Sequence, residues 1–204
     1  ATLQGAARIG LLGGSFDPVH DAHLALARSA IAALALDELL WIPIGVAWQK
    51  TRTLSPAADR VAMLRLAIAD EPRQRIELCE VERSGPSYMI DTVFELQARR
   101  PNAQWWLLLG QDQLANLPTW HRWRELVSRV QLAVANRTGV APRAPEELAA
   151  AGVTAAVVPL ARMAVSSTEV RAHIAAGQGV ASLVPAPVAR YIERHGLYRD
   201  PLRS

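Results

Sequence analysis

The sequence contains very little cysteine and very little lysine. Cys79 is the single cysteine among 204 residues, so no disulfide can form within the chain. No group of cysteines and histidines has the spacing of a zinc site either. Lys50 is the only lysine, and arginine supplies the rest of the positive side-chain charge. A disulfide scaffold and a zinc centre are therefore not expected, and the one lysine becomes a candidate functional residue.

Long apolar segments are also missing. Residues 1–14 lack the apolar core and the cleavage site of a signal peptide. The longest uncharged stretch, residues 172–189, is interrupted by two glycines and two prolines, which makes it a poor membrane span. We therefore expect a cytoplasmic protein that does not bind a membrane.

Neither positive nor negative charge is in large excess. The formal net charge is only +3, and the basic residues are scattered along the chain. Nucleic-acid binders usually gather such residues into runs or patches, so nucleic acid is not the expected partner. A mild positive balance does suit a small polyanionic substrate.

What the sequence does contain is apolar material arranged in alternating elements. Half of the residues are apolar, enough to bury a substantial core. Apolar runs predict strands and Ala/Leu-rich periodic segments predict helices. Strands are expected at 8–12, 39–44, 75–81, 104–109, 130–135 and 155–158. Helices are expected at 20–35, 55–70, 87–100, 124–129, 166–177 and 188–195.

This alternation predicts a Rossmann-like α/β fold with a doubly wound parallel sheet. We expect one domain over residues 1–204, with a core at about 8–164 and a small helical C-terminal appendage at about 165–204. Ser55 is expected to cap the helix at 55–70, with Pro56 at its first position.

The turn after the first strand lies where open α/β sheets bind ligands. Gly13 and Gly14 would let backbone N–H groups approach an anion, at the positive end of the following helix. The segment is neither a GxGxxG fingerprint nor a Walker A motif, so an ordinary tight turn is the alternative interpretation.

Two histidines follow this turn. His20 and His23 are three residues apart, which puts them on one face of a helix and directs both toward the phosphate position. The alternative is that one caps the helix and the other packs. A metal site is not expected, because the HExxH spacing and a third ligand are absent.

Two motifs together carry a family resemblance. Residues 13–24, GGSFDPVHDAHL, resemble the GG[ST]FDPxHxGH signature of the nucleotidylyltransferase superfamily, and residues 165–171, VSSTEVR, resemble its ISSTxxR motif. The superfamily transfers a nucleotidyl group from a nucleoside triphosphate and releases pyrophosphate. Residues 81–93, 107–126 and 191–198 resemble the bacterial nicotinate mononucleotide adenylyltransferases.

The resemblance implies a phosphate end of the site. Loop residues would line the ATP phosphates and the nearby ribose, the two histidines would stabilise the transition state, and the second motif would hold the triphosphate. By position these are Gly13, Gly14, Ser15 and Phe16, then His20 and His23, and then Ser166, Ser167, Thr168 and Arg171. Lys50 and Arg171 join the histidines as catalytic candidates.

The resemblance also implies a ribose site and an acceptor end. Gly110 and Asp112 would hold the adenosine ribose. Trp120 would stack on the pyridine ring of nicotinate mononucleotide, or it could simply pack in the core. Backbone N–H groups near Met89 and His121 would receive the pyridine carboxylate, and Tyr88 and Thr92 would lie beside that pocket.

The implied reaction is the in-line attack of the mononucleotide 5′-phosphate on the α-phosphorus of ATP. It needs no protein nucleophile, since positioned cations and donors stabilise the charge that develops. We expect Mg²⁺ to be carried by ATP, because no carboxylate cluster is evident for it. Whether the chain forms a homo-oligomer is left open by the sequence.

The sequence departs from the family pattern at three places. Ala22 replaces the glycine of HxGH, Trp48 and Gln49 replace two residues of the Pro-x-His-Lys loop, and Met89 replaces the threonine of SYT. Two alternatives therefore stay open. One is a related enzyme with another acceptor, such as nicotinamide mononucleotide or phosphopantetheine. The other is a catalytically silent nucleotide-binding protein.

Overall fold

The sheet of the protein consists of parallel strands in the order β3-β2-β1-β4-β5-β6. The structure is a computed structural model that describes residues 5–46, 52–136, 140–160 and 165–200. Neighbouring strands pair in parallel, as in the register Leu11↔Leu40. The strands are β1 Arg8–Gly14, β2 Glu38–Pro43, β3 Gln74–Ile76, β4 Gln104–Leu109, β5 Gln131–Asn136 and β6 Ala155–Pro159.

Helices alternate with these strands along the chain. They are α1 Asp21–Ala33, α2 Ala57–Ala67, α3 Cys79–Glu82, α4 Met89–Arg99, α5 Gln111–Asn116, α6 Trp123–Arg129, α7 Glu146–Ala150, α8 Ser167–Ala175 and α9 Ala186–His195. A 3-10 turn covers Leu117–Thr119. In the described ranges, none of the helices is long and apolar enough to cross a membrane.

Two hydrophobic cores lie on opposite faces of the sheet. Successive strand residues point to opposite faces, so Leu11 of β1 belongs to one core and Leu12 belongs to the other. Helices α1, α2, α8 and α9 cover the core of Leu12, and α4 to α7 cover the core of Leu11. This confirms the predicted doubly wound arrangement, in which strands buried on both faces read as continuous apolar runs.

The two C-terminal helices pack directly against the sheet. Val170 of α8 and Val188 of α9 are fully buried in the core that also contains Leu12. The N–H of Asp21, at the start of α1, donates to the carbonyl of Leu183 at 2.9 Å. The connection between α8 and α9 thereby contacts the start of α1, next to the first motif.

The structure corrects the predicted strand at 75–81. Strand β3 ends at Ile76, and Cys79–Glu82 forms the short helix α3. The Cys79 N–H donates to the Glu77 carboxylate at 3.1 Å, which satisfies a backbone donor at the start of that helix. Two further short helices, α5 and α7, were not predicted.

The predicted Ser55 cap is also wrong. Helix α2 begins at Ala57 with Pro56 as its N-cap residue. The backbone N–H of Ser55 donates instead to the Asp17 carboxylate at 3.0 Å. Ser55 is thus held by a hydrogen bond to Asp17, in the loop after β1, and does not cap α2.

Candidate active site

A cavity of about 480 Å³ opens at the carboxyl ends of β1 and β4. These strands are neighbours in the sheet, and their following helices, α1 and α5, lie on opposite faces. This is the switch point at which open α/β sheets bind ligands. Its walls include residues from both predicted motifs and from the predicted acceptor end: Gly13, Gly14, Ser15, Phe16, His23, Tyr88, Met89, Gly110, Trp120, His121, Ser167, Thr168 and Arg171.

The two histidines lie together at the start of α1. His20 is the N-cap residue, and its backbone N–H donates to His23 Nδ1 at 3.1 Å. Their rings stack with centroids 3.7 Å apart. Because Nδ1 of His23 accepts this bond, the neutral ring carries its proton on Nε2 and can donate it to a ligand.

Burial keeps both imidazoles neutral in the free protein. It lowers the pKa of His20 to about 4. Burial and the neighbouring His20 lower the pKa of His23 to about 3. His20 Nδ1 is also buried and has no hydrogen-bond partner among the described residues. An unsatisfied buried nitrogen of this kind costs stability, and His20 itself is not among the residues that line the cavity.

Phe16 packs against the histidine pair through the ring of His23. Its ring contacts His23 and Trp41 edge-to-face, with centroid distances of 5.1 Å to each. Phe16 adopts a left-handed backbone conformation, with φ of 49°, which costs a non-glycine residue about 1 kcal/mol or more. Burial of its side chain in the core beside α1 offsets that cost.

Asp17 is the centre of a buried hydrogen-bond network beside the cavity. Its side chain is fully buried, and Oδ2 accepts from Arg52 Nη1 at 2.9 Å and from the Ser55 N–H at 3.0 Å. Oδ1 accepts from the Tyr198 hydroxyl. Burial alone would raise the pKa of Asp17, but these hydrogen bonds outweigh it and lower the pKa below its ordinary value. Asp17 is therefore a charged carboxylate at neutral pH.

Arg60 of α2 donates hydrogen bonds to the glycine loop, which comprises residues 13–16. The residue is 2% exposed, and its Nη1 donates to the carbonyls of Ser15 and Ile44 at 3.1 and 2.7 Å. Its Nε donates to the Ser55 carbonyl at 2.9 Å. A buried guanidinium therefore lies directly behind the loop and adds positive potential to this end of the cavity.

The second motif joins the first through side-chain bonds to the backbone. Arg171 Nη1 donates to the Asp17 carbonyl at 2.8 Å, and Ser167 donates to the Pro18 carbonyl at 3.0 Å. Arg171 Nη2 also donates to the Thr168 hydroxyl at 3.2 Å. These three side chains line the cavity, whereas Ser166 is exposed and caps α8 by accepting from the Glu169 N–H.

The opposite wall of the cavity is aromatic. The rings of Tyr88 and His121 lie 4.4 Å apart, and Trp120 follows the 3-10 turn beside them. Met89 begins α4 and reaches over the glycine loop, since a Cβ added at Gly13 would lie 2.9 Å from Met89 Cε. The missing side chain of Gly13 is thus what allows Met89 to pack there.

A buried carboxylate also borders this wall. Glu80 is 4% exposed, lines the cavity, and accepts from the Thr92 hydroxyl at 2.7 Å. Burial raises the pKa of Glu80 despite the Thr92 hydrogen bond and the charge of Arg83. Thr92 itself lies behind Glu80 and is not among the residues that line the cavity.

The ribose candidates lie at the start of α5. Gly110 is the N-cap residue and lines the cavity, and its N–H donates to Gln113 Oε1 at 3.0 Å. Asp112, two residues later in the first turn of α5, is exposed and is not part of the cavity wall, whereas Gln113 is. Lys50, Trp48 and Gln49 lie outside the described residues.

Several residues of the site were not singled out from the sequence. Asp17 lies inside the quoted first motif, and Tyr198 lies inside the YIERHGLY segment that resembles the family, so both were within reach of motif reasoning. Arg52, Arg60 and Glu80 carry no local signal. Within the described ranges, no group of three or more His, Cys, Asp or Glu residues could hold a metal ion.

The comparisons with known proteins agree with this geometry. The cytidylyltransferase-like family model matches residues 11–173, a range that runs from β1 into α8. The chain therefore belongs to the cytidylyltransferase-like family.

Curated relatives narrow the family further. A protein of Methylibium petroleiphilum named probable nicotinate-nucleotide adenylyltransferase is 54% identical over 198 residues, which cover 95% of this chain and 93% of the relative. A protein of the same name from Bordetella petrii is 50% identical over 196 residues, which cover 94% and 99%. The chain falls in the nicotinate-nucleotide adenylyltransferase group.

Solved structures share the fold. The Plasmodium falciparum nicotinic acid mononucleotide adenylyltransferase complexed with NaAD matches with a TM-score of 0.76 and 20% identity, covering 94% of this chain and 97% of that one. At this identity the likeness concerns the fold.

Proposed function

We propose that the cavity binds ATP and nicotinate mononucleotide and transfers the adenylyl group between them, giving nicotinate adenine dinucleotide and pyrophosphate in NAD biosynthesis. Family membership and the names of the curated relatives support this reaction. The observation that carries the assignment of the site is the convergence of both phosphate motifs on one side of a single cavity, opposite an aromatic wall.

The phosphate end is suited to a triphosphate. Gly13, Gly14 and Ser15 supply backbone at the end of β1, next to the N-terminus of α1. His23 offers its Nε2–H, and His20 has an unsatisfied buried nitrogen. Arg171, with Ser167 and Thr168, faces the same space. A phosphate bound here would raise the pKa of both histidines through its charge and would accept a hydrogen bond from His23 Nε2.

The aromatic wall is suited to the pyridine ring. Trp120 offers a flat apolar surface for stacking, and the backbone at Met89, the first residue of α4, lies where free helix N–H groups can receive a carboxylate. Tyr88 and His121 line the same space. Gly110, with Asp112 on the same first turn of α5, would hold the adenosine ribose.

The chemistry is a direct displacement at phosphorus. An oxygen of the mononucleotide 5′-phosphate forms a bond to the α-phosphorus of ATP, and the bond from that phosphorus to the bridging oxygen breaks. Pyrophosphate leaves with the negative charge. His20, His23, Lys50 and Arg171 are the groups proposed to stabilise this charge. Mg²⁺ enters as part of the MgATP substrate.

The direct test is pyrophosphate release from MgATP with three acceptors: nicotinate mononucleotide, nicotinamide mononucleotide and phosphopantetheine. We expect release with nicotinate mononucleotide at the highest kcat/KM. Release with phosphopantetheine alone would assign another acceptor. Tight ATP binding without release in any arm would identify a silent nucleotide-binding protein.

A further inference from the structure

Arg52 borders the phosphate end of the cavity but belongs to neither motif. It lines the cavity together with Arg171, and its side chain is 33% exposed. Its hydrogen bonds to other described residues, to the Asp17 carboxylate and the Thr53 carbonyl, both leave from Nη1. A guanidinium has five N–H donors in a planar fork, which suits it to bind a phosphate while one nitrogen stays anchored.

The two arginines are close enough to repel each other. Burial and the charge of Arg52 both lower the pKa of Arg171. Both groups donate to Asp17, but to different acceptors: Arg52 donates to the carboxylate oxygen Oδ2, and Arg171 donates to the backbone carbonyl. Two guanidinium groups beside one carboxylate leave this corner with a net positive charge, and a multivalent anion lying between the two arginines would relieve their repulsion.

Tyr198 sets the orientation of that carboxylate. Burial and the hydrogen bond to Asp17 raise the pKa of Tyr198, so its hydroxyl stays protonated and donates to Oδ1. With Oδ1 taken by Tyr198, Oδ2 is the oxygen that faces Arg52 and the Ser55 N–H. The tyrosine therefore fixes the anchor of Arg52 without lining the cavity itself.

We propose that Arg52 is a second cation for the β- and γ-phosphates of ATP and for the leaving pyrophosphate, and that Asp17 and Tyr198 are positioning residues that hold it. The choice of ligand rests on the proposed function. Arg52 would share the charge of the leaving group with Arg171, so its effect should fall on ATP and pyrophosphate and not on the pyridine nucleotide.

The test compares Arg52→Gln with Arg28→Gln, whose side chain is 61% exposed and paired with Glu71 on the surface. Calorimetric titration with inorganic pyrophosphate and steady-state kinetics with both substrates are measured. We expect Arg52→Gln to weaken pyrophosphate binding and raise the KM for ATP about tenfold, the scale of one lost charge-assisted contact. The KM for nicotinate mononucleotide should stay unchanged, and Arg28→Gln should match the wild type.

Tyr198→Phe and the double variant test the positioning role. Tyr198→Phe alone should raise the KM for ATP several-fold, because Asp17 loses one donor. If the tyrosine acts through Arg52, adding it to Arg52→Gln should cause little further change in pyrophosphate affinity. A purely structural tyrosine would instead lower the unfolding temperature and shift both backgrounds equally, and that result would overturn the positioning role.

Pyrophosphate affinity that is unchanged in Arg52→Gln would overturn the proposal for Arg52. This readout needs no acceptor, so it is separate from the proposed reaction. If the wild type bound pyrophosphate but used neither pyridine nucleotide, the acceptor assignment would fail while the Arg52 comparison could still be made.

Discussion

Two walls of the cavity differ in how their side chains are held. The phosphate wall is the side with Arg52 and Arg171, and the aromatic wall is the side with Tyr88, Trp120 and His121. On the phosphate wall, Arg52 and Arg171 are fixed by bonds to Asp17, which is itself completely buried. On the aromatic wall, Tyr88 and His121 contact each other through their rings, and His121 is exposed.

This difference separates the chemistry from the choice of acceptor. Charges that must act on a transition state gain from a fixed orientation, because no reorganisation is then needed during the reaction. A ring that only stacks tolerates small shifts. Substitutions on the phosphate wall should therefore lower turnover or the affinity for ATP and pyrophosphate, and substitutions on the aromatic wall should change the acceptor KM.

The largest expected effect is a loss of folding stability at acidic pH, and it should come from His20 at the start of α1. His20 is neutral in the folded protein with a pKa of about 4, against an ordinary value of 6.5. Below pH 6.5 the unfolded chain binds the extra proton and the folded chain does not, so stability falls as the pH falls toward 4. The loss from His20 alone is on the order of 3 kcal/mol.

Thermal unfolding measured between pH 7.5 and 4 checks this. The wild type should lose stability steeply below pH 6.5. His20→Gln should make the curve shallower because the amide does not titrate, and the remaining slope should come from His23, whose pKa is lowered to about 3. His195→Gln, a change at an exposed histidine of α9, is the control. An equally steep curve in His20→Gln would show that the acid sensitivity comes from elsewhere.

Turnover should be the next most sensitive property. His20→Ala should lower kcat by at least about 10²-fold, because it removes one of the groups proposed to stabilise the charge on the phosphates. The KM for nicotinate mononucleotide should change little. His195→Ala serves as the matched control, and near-normal turnover in His20→Ala would remove His20 from the site.

A substitution of Trp120 tests the difference between the two walls from the aromatic side. Trp120→Ala should raise the KM for nicotinate mononucleotide about tenfold, the loss expected for one stacked ring. Pyrophosphate affinity should stay the same, and Trp120→Phe should recover most of the acceptor KM. If both Trp120 variants behaved like the wild type, the tryptophan would be a packing residue.

The smallest expected effect is at Ala22, where the family motif has glycine. Ala22 lies in the first turn of α1 and is not among the residues that line the cavity. Ala22→Gly should therefore cost up to about 1 kcal/mol of stability through its lower helix propensity. The KM for ATP should remain unchanged. A clear drop in that KM would show that the alanine methyl reaches the nucleotide after all.

Most of the fold could be predicted from the chain because its central strands are buried on both faces. Runs such as residues 105–109 are apolar throughout, so their identity as strands does not depend on neighbours. The short helices α3 and α5 could not be predicted. They depend on local caps such as the Gln113 side chain on Gly110, and the 75–81 segment carries apolar residues that suit either a strand or a helix.

The site was predictable only where motifs mark it. The glycine loop, His23 and Arg171 line one cavity, whereas His20 is buried behind His23 and is not among the residues that line it. Arg52 and Tyr198 contact Asp17 across 35 and 181 positions of sequence, and no local pattern encodes such contacts. Asp112 and Ser166 remain predictions, because both are exposed beside the cavity and neither is part of its wall.

The long separation between the halves of the phosphate wall has a consequence for the order of folding. Arg171 and Tyr198 reach Asp17 from positions 154 and 181 residues later in the chain. During synthesis the glycine loop and its histidines emerge first, and the sheet can begin to pair before these partners exist. The corner around Asp17 is thus the last part of the cavity to form. A nascent chain contains its first motif long before Arg171 and Tyr198 are synthesised, so the proposed phosphate site can be completed only after the C-terminal helices have folded.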